Sequence, residues 1–227
     1  RSLGFPEGKQ RFHDHLKLAH YANAACDIEF EFPFGFKELE GIHSRTDFDL
    51  GNHEKFSGKK LQYFDPELNQ SYVPYVVETS IGLDRMFLAI LSQSYAEEKL
   101  EDGSERVVLR IPPFLAPVKC AVMPLVKKDG LPEKAREIMD RIKYDHNCFY
   151  EEKDNIGKRY RRQDAIGTPF CITVDHQTPE DNTVTIRHRD NMEQDRVAIA
   201  DLHKIIDEQV NMKNLFENFV LIINKKT

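Results

Sequence analysis

The sequence predicts two folding units in one chain: an α+β unit over residues 1–111, an antiparallel sheet with helices on one side, and an α/β layer over 112–227. Three observations carry this. Stretches of strand-like alternation precede a single strong helical pattern in the first half. Beyond Pro117, short apolar runs alternate with helical periods. Between the two, Pro112, Pro113 and Pro117 punctuate the chain. With 227 residues and 40% hydrophobic content, there is enough material for a core in each unit.

In chain order, FHDHLKLAHYANAA (12–25) has a moderate helical period and is expected to be a helix. DIEFEFPF then alternates Ile28, Phe30, Phe32 and Phe34 against Asp27, Glu29 and Glu31, the pattern of a half-buried strand that continues through Glu38 and Glu40 to Gly41. Thr46 or Asp47 is placed to cap a short helix. Two strands follow, joined by a turn at Asp65-Pro66-Glu67-Leu68-Asn69. VPYVVETS is a strand that turns at Gly82 into a helix with Leu83, Met86, Phe87, Ile90 and Leu91 on one face, a stripe expected to pack on the sheet. Past the prolines come strand VKCAVMPL, helix PEKAREIMDRIKY with proline at its start, strand CFYEE, basic helix GKRYRRQDAIG and strand PFCITVD. NTVTIRHR is expected as an outer strand and VAIADLHKIIDEQV as a closing helix. The apolar tail LFENFVLIINKKT (215–227) packs on that helix or mediates contacts.

Several classes are disfavoured. No run of about 18 apolar residues is present and no apolar leader opens the chain, so a cytoplasmic protein with no membrane partner is expected. Cys26, Cys120, Cys148 and Cys171 are far apart, with no CxxC pair, and read as reduced thiols. His13 and His15, two apart on the expected helix, point to different sides, so no metal site is predicted. A net charge of -6 provides no global pull toward nucleic acid, and any RNA contact needs a local basic patch.

The strand–glycine–helix PYVVETSIGLDR holds the most chemistry. Glu78 and Ser80 share a strand face while Val77 and Thr79 face the other way. Arg85 sits in the first helical turn, where the macrodipole disfavours a cation unless an anion is bound there. Two readings fit: a Glu78–Arg85 salt bridge that staples strand to helix, or a carboxylate for a cationic group beside an arginine for an anionic one.

PYVVETSIGLDR resembles motif 3 of the class II aminoacyl-tRNA synthetases, in the form used by dimeric glycyl-tRNA synthetases. DIEFEFPFGFKELEGIHSRTDFDL resembles that family's preceding sheet segment, and the part beyond Pro117 its anticodon-binding domain. The resemblance implies a partial class II catalytic core followed by the anticodon-binding domain. It implies an ATP-dependent ligase that joins glycine to tRNA(Gly), uses ATP and Mg2+, and works as a homodimer. Arg85 is then the catalytic residue on the ATP γ-phosphate, and Glu78, Thr79, Ser80, Ile81 and Gly82 bind glycine. Glu38, Leu39, Gly82, Leu83, Asp84 and Arg85 contact ATP. Glu67 is read as a solvated turn carboxylate rather than a magnesium ligand. Motif 3 is usually G-x-G-x-x-R; Ser80 replaces the first glycine here, adding bulk that suits a substrate without a side chain. The resemblance places motifs 1 and 2 upstream of Arg1, so this chain alone is expected to be an inactive fragment.

In the second unit Lys158, Arg159, Arg161 and Arg162 surround Tyr160, and Arg187 and Arg189 share one strand face. Cations around an aromatic suit RNA phosphates and bases, and Arg159, Arg161 and Arg162 are the candidates for tRNA contact; a merely solvated basic helix is the other reading. The competing class is a non-catalytic nucleic-acid-binding subunit, because the accessory subunit of mitochondrial DNA polymerase resembles the same fold. Glu38, Glu78, Ser80, Gly82 and Arg85 together favour the enzyme, also over another ATP-dependent amide-forming ligase.

Overall fold

A computed structural model describes residues 3–213 and Phe216. The chain divides into two compact units between Ser92 and Gln93. That division lies ahead of the proline-rich stretch where the sequence suggests a boundary, because a hairpin before the prolines belongs to the second unit.

The first unit is built on strands β1 (Gln10–Asp14), β2 (Ala24–Phe32) and β3 (Gly35–Ser44), helix α1 (Phe48–Ser57), the small hairpin β4 (Tyr63–Asp65) and β5 (Gln70–Tyr72), strand β6 (Val77–Ile81), and helix α2 (Leu83–Ser94). Its sheet is antiparallel with order β1-β2-β3-β6. Phe30 and Phe32 are buried on one face, as their alternation predicts. Asp65 accepts the backbone N–H groups of Glu67 and Leu68, so the β4–β5 turn is an Asx turn, and Glu67 is exposed on it. Asp47 precedes α1 but its side chain makes no capping bond.

Two expectations fail in this unit. Residues 12–25 are not helical: Gln10–Asp14 pairs residue for residue with Phe30–Cys26, and Phe12 and Leu16 are exposed, so the apolar period has no face to bury and strand pairing prevails. On a strand, His13 and His15 point the same way, and their rings are 6.1 Å apart. Among the described residues no three His, Cys, Asp or Glu side chains converge to hold a metal ion. The stripe on α2 is also rotated from its predicted facing. Ala89 is fully buried with Met86 and Ile90 half-buried beside it, whereas Leu83 and Phe87 are 82% and 63% exposed.

In the second unit, β7 (Tyr95–Lys99) and β8 (Glu105–Leu109) form a hairpin around Asp102-Gly103. Then come β9 (Cys120–Pro124), α3 (Leu131–Ile142), β10 (Cys148–Tyr150), α4 (Ile156–Ile166), β11 (Phe170–Val174), α5 (Thr178–Asp181), β12 (Thr183–His188), β13 (Gln194–Ala198) and α6 (Leu202–Val210). The sheet order is β10-β9-β11-β12-β13, parallel across β10, β9 and β11 and antiparallel beyond. One face packs Val122, Ile172 and Ile186 against Leu131 and Ile138 of α3 and Leu202 and Ile206 of α6, all essentially inaccessible. Each such side chain contributes about 1.5–3 kcal/mol. The other face sets Ala121, Met123 and Cys171 under Ile156 and Tyr160 of α4. Thus β12 is internal, not outer: it is covered by β13, whose last residues Val197 and Ala198 open the stretch expected as the closing helix. Apart from Phe216, the apolar tail lies outside the described residues.

The β7–β8 hairpin is held to α4 by buried charge. Arg106 donates to Glu98 and to Asp164, and Arg187 donates to both oxygens of Asp164. Gly167 closes α4 at φ +84°, and a Cβ there would lie 2.8 Å from Ile111 Cγ2, so only glycine allows this approach.

Candidate active site and nucleic-acid interface

Strand β6 lies against β3 with Glu78 opposite His43 and Ser80 opposite Gly41. Cross-strand partners share a face, so Glu78, Ser80, His43 and Gly41 look into one space, with Asp27 opposite Gly41 on the next strand. Gly41 keeps that space open beside Ser80; a Cβ there would come within 2.9 Å of the His43 ring. Thr79 and Ile81, also expected to contact glycine, face the other side and pair with Ile42 and Glu40. Only their backbones remain available to a ligand on the Glu78 face.

Glu78 and Arg85 do not pair with each other, so the stapling salt bridge is absent. Glu78 instead accepts from Arg45 Nη1 at 2.8 Å. The same guanidinium grips Asp49 in a two-point contact, Nε to Oδ2 at 2.5 Å and Nη2 to Oδ1 at 3.0 Å, and lies 4.1 Å above the Tyr21 ring. Backbone bonds from Arg45 N to Val76 O and Val76 N to Thr46 O pin the end of β3 to the start of β6. The bond from Arg45 holds the Asp49 carboxyl below the usual carboxylate range, and Asp49, then Glu78, push the Arg45 guanidinium up. One cation shared by two carboxylates leaves this corner with a net negative charge, the right polarity for an ammonium group.

Arg85 reaches back from the first turn of α2 to β3. Its Nη1 donates to the Glu38 carbonyl at 2.6 Å and lies 3.5 Å from the Glu38 carboxylate. The pairing register of β2 with β3 skips at this point: Glu29 faces Glu38 while Ile28 faces Glu40, leaving Leu39 as the extra residue of a β-bulge. Leu39 is 3% exposed, so any contact it makes with a nucleotide is through its backbone. Arg85 is 54% exposed and its ion pair is loose, which leaves the guanidinium able to turn toward an anion. Gly82 joins strand to helix, Leu83 is exposed, and Asp84 sits in the first turn, where a carboxylate suits the helix dipole.

The expected basic patch on α4 is mostly consumed by the fold. Arg159 is 2% exposed and donates to the carbonyls of Lys153, Asp154 and Pro124, so it is a structural arginine and not a tRNA ligand. Arg162 is held by Glu151 and Asp154, which push it up. Arg187 and Arg189 are buried as well, the first on Asp164 and 4.8 Å over the Tyr160 ring, the second on the carbonyls of Ile111 and Gly167. Arg161 differs: its Nη1 is shielded from solvent and has no hydrogen-bond partner among the described residues. It lines an open cleft of about 450 Å³ with Lys158, Tyr160, Arg187 and Gln194 at the N-terminal end of α4, where Asn155 caps the helix.

Residues 119–209 match the family described as the anticodon binding domain. Across 92% of its length the chain is 51% identical to glycine–tRNA ligase of Borrelia hermsii, of which it spans 48%. This chain is a homologue of the glycine–tRNA ligases. It is 54% identical to that of Chlorobaculum tepidum over 88% of its length and 50% identical to that of Clostridium acetobutylicum over 92%, covering 42% and 45% of those proteins. The chain therefore spans under half the length of the relatives it matches. No helix among the described residues is long and apolar enough to cross a membrane.

Arg45, Asp49, His43 and Asp27 complete the Glu78 site and were not singled out in the sequence. The Arg45/Asp49 spacing of i, i+4 with opposite charge was the available signal.

Proposed function

We propose that this chain contributes the motif 3 half of a class II catalytic core and the anticodon-binding domain to a cytoplasmic, homodimeric glycine–tRNA ligase, which forms glycyl-adenylate from glycine and ATP and passes glycine to tRNA(Gly). The carrying observation is that Glu78 and Arg85 are each held by a different partner and both remain open, at 39% and 54% exposure. Kinship to glycine–tRNA ligases along nearly the whole chain supports the same reading.

In this reading the substrate ammonium binds Glu78, whose carboxylate Arg45 fixes in place. Ser80, opposite Gly41, adds bulk beside the place of the substrate α-carbon, and larger amino acids are then excluded by collision. Arg85 swings from Glu38 onto the γ-phosphate and offsets its charge, while Glu38 and the Leu39 backbone line the nucleotide side. The work is positioning and charge neutralisation; no side chain here is assigned to move a proton. Magnesium, if bound with ATP, would supply further charge to the phosphates; among the described residues no three His, Cys, Asp or Glu side chains are placed to hold it. At the other unit, Lys158 and Arg161 take tRNA phosphates at the α4 cleft. The exposed Leu83 and Phe87 and the unpaired outer edge of β6 are covered by the part of the longer protein that this chain does not span.

The test is glycine-dependent exchange of labelled pyrophosphate into ATP, by this chain and by the protein at the full length of its relatives. Exchange by the long form only, abolished by Glu78→Gln, is expected. No exchange by either, with nucleic-acid binding retained, would favour a non-catalytic subunit on the same fold.

A further inference from the structure

We propose that Cys120 and Cys148 form a peroxide-reactive dithiol that closes to a reversible disulfide within the second unit. The two residues are direct register partners on adjacent parallel strands, and their sulfurs are 3.2 Å apart. Register partners on neighbouring strands have a Cα separation of about 5 Å, inside the range that a disulfide spans without backbone movement. The other cysteines are excluded by position: Cys171 lies on the opposite face of the sheet with Ala121 and Met123, and Cys26 is in the first unit.

The two thiols differ in a way that divides the work. Cys120 is fully buried, and the Cys148 contact and its burial hold its thiol well up. Cys148 is partly exposed at the edge strand, and the hydrogen bond from Cys120 holds it below the ordinary thiol range. Cys148 is thus the attacking sulfur and Cys120 the resolving one. The Cys148 thiolate attacks one oxygen of hydrogen peroxide, the O–O bond breaks, and sulfenic acid and hydroxide result. Hydroxide takes up the proton that Cys148 released and leaves as water. Cys120 then attacks the Cys148 sulfur, the S–O bond breaks, and the departing hydroxide leaves as water with the Cys120 proton. Two thiols and one peroxide give one disulfide and two waters. A dithiol reductant reverses the reaction.

The bond ties edge strand β10, paired with β9 at Cys148, Phe149 and Tyr150 and by backbone bonds from Lys119 N to Asn147 O and from Glu151 N to Val122 O, covalently to the strand inside it. The test is titration of the native chain with hydrogen peroxide, followed by thiol counting and peptide mapping under denaturing conditions. Accessible thiols are expected to fall from four to two per chain, with one cross-linked peptide pair joining Cys120 to Cys148, and to return to four with dithiothreitol. Cys148→Ser is expected to leave Cys120 unmodified, and Cys26→Ser to leave the cross-link intact. Cys148 oxidised without the link, a link to another cysteine or another chain, or four surviving thiols would each overturn the proposal. The mapping is done on the unsubstituted chain, so it stands even if a variant fails to fold.

Discussion

Asp164 is the residue whose loss the second unit should tolerate least. It is fully buried and accepts three charged hydrogen bonds, from Arg187 Nη1 at 2.8 Å, Arg187 Nη2 at 3.0 Å and Arg106 Nη1 at 3.3 Å; the side chains of Arg106 and Arg187 are only 1% and 5% exposed. Burial pulls the Arg187 guanidinium down, and Asp164 more than offsets it. Asp164→Asn keeps the shape, removes the charge and turns an amide N–H₂ toward arginine donors. Arg187 then loses the carboxylate it is paired with, and Arg106 keeps only its share of Glu98, which Arg110 also holds. Removing one partner of a buried pair costs about 3–5 kcal/mol, because the remaining charge cannot regain its hydration. Set against a total stability of about 5–15 kcal/mol, that is a large share, and for a unit of this size it lowers Tm by about 10–20 °C. Urea unfolding should show a lower midpoint with an unchanged slope. Glu98→Gln is the control: Glu98 is 25% exposed, and Arg106 keeps both Asp164 and the Arg189 carbonyl, so a loss of only about 1 kcal/mol is expected. If Asp164→Asn costs less than about 1 kcal/mol, or no more than Glu98→Gln, the buried network does not hold the hairpin to α4.

Two further outcomes separate the roles of neighbouring groups. Arg161→Gln should weaken tRNA binding and lower the slope of log K against log salt by about 0.7, while Arg159→Gln should lower Tm first, since its guanidinium serves three backbone carbonyls; filter binding and thermal melts, each done on both variants, check this, and the reverse assignment is refuted or upheld directly. Acid should destabilise the second unit. Burial pushes Glu98 and Asp175 up, but Arg110 and Arg106 on the first and Arg196 on the second hold both below the ordinary carboxylate range. With folded values below unfolded ones, their contribution is complete above about pH 5 and is lost as pH falls through the folded values, so the urea midpoint should be flat from neutral pH to about pH 5 and then drop; a midpoint that rises on acidification contradicts it.

Much of the fold was legible because local signals and tertiary demands agree. The α/β order from Cys120 to Val174 follows apolar runs and helix caps, and the strand–Gly82–helix turn was readable together with Glu78 and Arg85. What failed did so for identifiable reasons. β1 is an edge strand whose one apolar residue, Phe12, stays exposed, as do Leu16 and Leu18 beyond it, so the period carried no burial information. The β7–β8 hairpin was announced by Asp102-Gly103, but its inward positions include Arg106, and a buried arginine breaks the apolar alternation that marks a strand. Composition likewise shows that arginines cluster on α4 without showing which are already committed: Arg159 and Arg161 are two residues apart in the same basic run, and only the fold separates them.

The extra residue at Leu39 has a genetic reading. β3 is written in two phases, one from Gly35 to Glu38 that pairs only with β2, the other from Glu40 to Ser44 that pairs with both β2 and β6. Loss of the single codon for Leu39 would remove one apolar residue from a chain rich in them, yet it would bring both phases into one frame. Glu38 would keep Glu29 as its partner but lose the bulge that aims it at Arg85, and both of its contacts with Arg85 would go with that. At this point the chain is more sensitive to a change in length than to a change in chemistry.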